Sequence, residues 1–172
     1  MDQIENLTIN EIFSLAVKSY QEGKTDIALK LYNQVIKIDP NHSQAHNNLG
    51  LIFQNQMNHE KAKSCYEKAI EIKPDYADAY NNLGILLSQL GENKKLIGCF
   101  EKAIELNPNY SLAHNNLGVI FKNLGEYEKA KSCYEKAIAI NPNYEDAHNN
   151  LDIISKQKKL LSIIKQTKNL DN

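Results

Sequence analysis

The sequence predicts an all-α chain, a solenoid of four helix-turn-helix units closed by one long C-terminal helix. Three observations carry this. Prolines stand at 40, 74, 108 and 142, a constant spacing of 34 residues. The eleven residues EKAKSCYEKAI occur identically at Glu60–Ile70 and Glu128–Ile138. Apolar residues inside each unit recur at three- and four-residue steps, the helical period, rather than alternating as in a strand. A fixed period of this length marks a repeat architecture, in which each unit buries its apolar face against its neighbours.

The elements follow in chain order. Residues 1–8 are a lead-in, and Thr8 with Glu11 makes a capping box at the start of the first helix. Four units occupy 9–42, 43–76, 77–110 and 111–144. In the second unit Leu49 and Phe53 mark one helix, Ala62, Tyr66, Ala69 and Ile70 mark the next, and the break falls near Met57–Asn58. Gly23, Gly91 and Gly125 stand at that break in the other units, as expected just past a helix end. Proline closes each second helix because it lacks an N–H and its ring clashes with the turn behind it. The third unit is expected to be the loosest, since Leu96 takes a small-residue position and Gly98 costs about 0.5–1 kcal/mol relative to Ala.

A fifth unit starts at Glu145 and departs from the pattern after HNNL, where Asp152 replaces glycine. Residues 145–172 therefore read as a capping helix, ending near Lys168, with a short tail. Leu151, Ile153 and Ile154 are assigned to covering the fourth unit, because the last unit of a solenoid exposes an apolar side unless something caps it. Leu160, Leu161, Ile163 and Ile164 are expected to overhang and to offer a surface for self-association.

Composition narrows the function. The chain of 172 residues has a formal net charge of −1, and all twenty of its basic residues are lysines. Without arginine it lacks the planar fork that grips phosphate or carboxylate in two places. Neither nucleic acid nor an anionic membrane is favoured as a partner. No apolar run approaches the roughly 20 residues that span a bilayer, and the N-terminus MDQIENLTINEIF has no signal-like core, so a soluble cytoplasmic protein is expected. Charge is uneven, however. Residues 1–152 carry 15 Lys against 20 acidic residues, whereas 153–172 carry five Lys against one Asp. That basic end is either a solvated helix or a handle for an acidic partner.

The units carry Leu-Gly (Leu15-Ala16 in the first), then Ala, Tyr or Phe, Ala and Pro at fixed offsets; in the second these are Leu49-Gly50, Phe53, Ala62, Tyr66, Ala69 and Pro74. This pattern resembles the tetratricopeptide repeat (TPR) family over residues 9 to about 151. Departures are Ile12, His46, Tyr80, His114 and His148 at the family's early tryptophan, and Val35 and Leu96 at its alanines. The resemblance implies a right-handed superhelix whose first helices line a concave wall. On that wall, paired asparagines recur: Asn47 and Asn48, Asn81 and Asn82, Asn115 and Asn116, Asn149 and Asn150. At about 100° per residue they fall opposite Leu49 and Phe53, which are expected to face the unit's own second helix, with Gly50 allowing close approach. The asparagines should then face solvent as a ladder with Asn55, Asn123 and the apolar stripe Leu51, Ile85 and Val119. An amide both donates and accepts, which suits an extended peptide backbone. The ladder is similar to that of O-GlcNAc transferase TPR arms; the alternative is a merely solvated row.

Other constellations fail. Phe13, Val17, Asn48, Asp78 and Asn82 occupy the positions where a chaperone-tail carboxylate clamp needs cations, and Lys122 stands alone. Cys65, Cys99 and Cys133 recur at the same period beside an aromatic residue, so they read as packing residues, too far apart for the roughly 7 Å Cα separation a disulfide allows. His46, His114 and His148 share a column and read as spacers between units, with His42 and His59 in turns. No nucleophile–base grouping, phosphate loop or metal cluster stands outside the repeat register, so no catalysis and no cofactor or metal are expected. The expected function is a scaffold that holds an extended segment of a protein or peptide partner in the concave groove. The alternative is the substrate-recognition arm of a larger transferase resembling O-GlcNAc transferase.

Overall fold

The computed structural model describes the backbone of residues 7–168, and the side chains of that span except 93, 94, 161, 162 and 165–168. Leu161, most of the lead-in (1–6) and the tail (169–172) lie outside the described residues. Among the described residues nine helices and no strands are present: α1 (Ile9–Gln21), α2 (Thr25–Ile38), α3 (Ser43–Asn55), α4 (His59–Ile72), α5 (Ala77–Gln89), α6 (Asn93–Leu106), α7 (Ser111–Asn123), α8 (Tyr127–Ile140) and α9 (Glu145–Lys168). The fold is all-α. First helices have 13 residues and second helices 14.

The turn inside each unit is the same double hydrogen-bonded cap. After α1 the N–H of Lys24 donates to the Ser19 carbonyl at 2.8 Å and that of Gly23 to Tyr20 at 3.0 Å. Asn58 to Phe53, Glu92 to Leu87 and Glu126 to Phe121 repeat the longer bond at 2.8, 3.0 and 2.8 Å. This motif needs one residue in the left-handed region. Gly23, Gly91 and Gly125 supply it at φ +74°, +72° and +77°, while the second unit forces Met57 to φ +58°. The capping box is present: Glu11 N–H donates to Thr8 Oγ1 at 3.3 Å, and Glu11 Oε2 accepts from Thr8 N–H at 2.7 Å. Between units, Asp39, Asn107 and Asn141 each accept the backbone N–H two residues on with a side-chain oxygen (3.0, 3.2 and 3.2 Å), folding the turn around the proline.

Two compact units, 1–99 and 100–172, divide the chain inside α6, one residue after Gly98. In the first, Ile12, Ala16, Ala28, Leu31, Tyr32 and Val35 form one core with Ala45, Leu49 and Ile52 of α3. Leu49 therefore joins a core shared with the preceding repeat, against which Cys65 of its own second helix also packs. Phe53 also packs against that core. Gly50 does face its own second helix: a Cβ there would lie 2.5 Å from Tyr66 Cε1, and one at Gly118 would lie 2.6 Å from Tyr134 Cε1. The column of Ile52 shows the same logic, for Ile52, Leu86, Ile120 and Ile154 are buried while its first member, Lys18, is exposed.

In the second unit, Ala130, Tyr134 and Ile154 form a core joined by Val119, Phe121, Tyr127 and Leu151. The first turns of α9 thus cover α8, as expected of Leu151 and Ile154. Ile153 does not join them and is 42% exposed, because it sits about 100° around the helix from Ile154. Lys158 fastens this helix to Glu128 of α8.

Candidate functional site

The paired asparagines divide into an inner and an outer member. Asn47, Asn81 and Asn115 are 3%, 0% and 5% exposed. They do not face solvent, which corrects the picture of two parallel exposed rows. For Asn47 and Asn115 the cause is repeat stacking, for α3 contacts α5 and α7 contacts α9. Only Asn149, on α9, is exposed among the inner members. The outer members Asn48, Asn82, Asn116 and Asn150 are half-buried, as are Leu51, Ile85 and Val119; Asn55 and Asn123 are exposed.

A buried amide must find partners, since leaving it unpaired costs about 1–3 kcal/mol. In the first unit Asn82 Nδ2 donates to Asn47 Oδ1 at 3.0 Å, Asn47 Nδ2 to Asn48 Oδ1 at 3.3 Å, and Asn48 Nδ2 to the Tyr32 hydroxyl at 3.1 Å. Beside this chain, the Tyr66 hydroxyl donates to Gln54 Oε1 at 2.7 Å, Gln54 Nε2 to Gln89 Oε1 at 2.9 Å, and Asn55 Nδ2 to the Tyr20 hydroxyl at 2.7 Å. In the second unit Asn150 Nδ2 donates to Asn115 Oδ1 at 3.2 Å, and Asn150 Oδ1 accepts from Lys122 Nζ at 3.0 Å. Lys122 is therefore engaged rather than standing alone. The amides tie α3 to α5 and α7 to α9, and each keeps only part of its capacity for anything else.

The histidine column has a role that periodicity alone did not disclose. Nε2 of His46, His114 and His148 bonds the carbonyl oxygen of Pro40, Pro108 and Pro142 at 2.9, 3.0 and 2.8 Å. Because a carbonyl only accepts, Nε2 carries the proton. Each ring so ties the first helix of a unit to the turn before it. The constant six-residue gap from Pro to His was visible in the sequence; Tyr80 is the exception after Pro74. His42 accepts the Ala45 N–H at 3.2 Å and caps α3.

The cysteines are half-buried and unbridged. Burial raises the Cys65 thiol to about 11 and pushes those of Cys99 and Cys133 up as well, so none is an activated nucleophile. Burial likewise raises the phenol of Tyr76 to about 12 and those of Tyr66 and Tyr134 further. Among the described residues no group of three or more His, Cys, Asp or Glu could hold a metal ion, and no helix is long and apolar enough to cross a membrane.

Comparison with known proteins agrees with the repeat geometry. Tetratricopeptide repeat models match residues 43–76 and 111–144, a second matches 65–96, and a TPR repeat model matches 18–56. No curated protein matches the chain. Among solved structures, MamA is 27% identical with a TM-score of 0.74, over 93% of this chain and 88% of that one. YrrB, described as a TPR protein with an unusual peptide-binding site, is 23% identical with a TM-score of 0.68 over 86% and 76%. The first TPR of Spaghetti (RPAP3), bound to an HSP90 peptide, is 24% identical with a TM-score of 0.65 over 68% and 93%. With repeat models spanning most of 18–144 and the same fold in all three structures, the chain belongs to the tetratricopeptide repeat family.

Proposed function

We propose that this chain is a non-catalytic protein-interaction scaffold whose first-helix faces hold an extended segment of another protein. The observation that carries the reading is the face of α3 and α5. There Leu51 and Ile85 stand half-buried between side-chain amides, and none of Asn48, Leu51, Asn55, Asn82 and Ile85 is charged. A partly exposed apolar row supplies contact area. The flanking amides Asn48 and Asn82 supply hydrogen-bonding capacity to a main chain, whatever its side chains. The second unit offers a corresponding stretch at Asn116, Val119 and Asn150. The fold supports this reading, for YrrB carries a peptide-binding site on it and the Spaghetti repeat holds a peptide. Likeness to the O-GlcNAc transferase ladder supports main-chain recognition from the sequence side only.

The test is an affinity pull-down followed by measured affinity for the partner recovered. Leu51→Gln with Ile85→Gln should weaken binding about tenfold or more, the loss of roughly 1.4 kcal/mol or more. Ser64→Gln with Ser132→Gln, on exposed positions of the second helices, should not. Equal affinity of both variants and wild type would place binding elsewhere.

A further inference from the structure

The distal part of α9 carries a line of exposed apolar side chains that lies outside the core formed by the described residues. The helix docks through Ala147, Leu151 and Ile154, and Lys158 closes that contact on Glu128. Farther around the helix, about 100°, 120° and 180° from Ile154, lie Ile153, Leu160 and Ile163, exposed by 42%, 58% and 46%. Offsets of seven and three residues keep these side chains in register for three turns, a length of roughly 15 Å. That is the pattern one helix presents to another. Lys156 interrupts the line, paired only locally with Asp152 at 2.6 Å, and residues 153–172 hold five lysines against one aspartate.

We propose that this seam docks an amphipathic helix of another protein whose flanks are acidic. Charge complementarity selects that occupant. A second copy would set one lysine-rich helix against another, and like charges at such a seam repel. An anionic bilayer takes an apolar face with aromatic anchors, and residues 145–172 contain no Phe, Tyr or Trp. The proposal shares with the preceding reading only that the chain holds other proteins, and it concerns a different surface from Leu51 and Ile85.

The experiment uses the full chain and two synthetic helical peptides with the same leucine seam, one flanked by glutamate and one by lysine, followed by fluorescence anisotropy. The acidic peptide should bind and the basic one should not, with binding falling as salt rises. Leu160→Gln with Ile163→Gln, and separately Lys156→Glu, should each weaken it about tenfold or more while circular dichroism stays unchanged. Leu51→Gln with Ile85→Gln should bind it as wild type does, so failure here and failure of the first-helix reading are separate results. Equal binding of both peptides, or indifference to the seam variants, overturns the proposal. Stronger binding to phosphatidylserine vesicles than to the acidic peptide would assign the seam to a membrane surface. A dimer in sedimentation that Leu160→Gln dissociates would assign it to a second copy.

Discussion

Replacing Asn82 by alanine separates an amide that only awaits a ligand from one that holds the repeats together. The substitution removes the Nδ2 donor 3.0 Å from Asn47 Oδ1. Asn47 is 3% exposed, so water cannot replace the lost donor. An orphaned buried acceptor costs about 1–3 kcal/mol, against the few tenths expected of a solvated side chain. For a chain of this size each kcal/mol lowers the melting temperature by about 2–4 °C, so the expected drop is roughly 2–12 °C. Thermal unfolding followed by circular dichroism measures it, with Gln44→Ala, an exposed position on α3, as the neutral control. Combined with Asn47→Ala, the Asn82 substitution should add little, because its partner is already gone; the coupling should be about 0.5–3 kcal/mol. An unchanged melting temperature, or two costs that simply add, would refute the inter-repeat bond and return the ladder to solvent.

The remaining predictions concern the backbone, the core and the thiols. Gly98→Ala should stabilise by about 0.5–1 kcal/mol, since a Cβ there meets nothing within 4 Å, whereas Gly50→Ala should destabilise by about 1–3 kcal/mol by driving into the Tyr66 ring; chemical denaturation gives both signs. Met57→Gly should stabilise by about 0.5–1 kcal/mol by relieving a left-handed backbone at a methionine, read as an upward shift in melting temperature. Ile154→Ala should cost about 2–5 kcal/mol, because its fully buried side chain fills the contact of α9 with Tyr134. Cys65 alkylation should be very slow at neutral pH and accelerate only as pH approaches about 11. The folded state keeps that thiol protonated to higher pH than the unfolded chain does. Its contribution to stability is thus full below the unfolded value and lost as pH rises towards 11, which melting curves across that range should show.

Period and punctuation were legible because they are local. Gly23, Gly91 and Gly125 mark a backbone region that other residues avoid, and their positions fixed the helix ends. Gly50 could be placed in close approach to its own second helix, although the ring it meets, Tyr66, came only from the structure. What a helical wheel cannot resolve is the azimuth at which the next repeat arrives. Asn47 and Asn48 differ by one residue, about 100°, and that is enough to bury one and leave the other half-exposed. For the same reason the wheel did not show that Leu49 joins the core of the repeat before it. The Pro-to-His bonds were hidden differently: the acceptor is a backbone carbonyl, which leaves no letter in the sequence.

The amide bond between repeats has a consequence for how such a chain can grow. Asn82 to Asn47 and Asn150 to Asn115 each join residues 35 apart, one more than the repeat length. Asn82 thus serves as a donor for the repeat before it and Asn47 as the acceptor, and Asn150 and Asn115 stand in the same relation. A register of this kind is kept by whole 34-residue units, whereas one residue inserted between the two members of a pair breaks it. In the first repeat Phe13 and Ser14 stand where the pair would, and Asn48 donates to the Tyr32 hydroxyl, while Asn149 on α9 is exposed. The identical eleven-residue segments at Glu60–Ile70 and Glu128–Ile138 keep that same register two repeats apart.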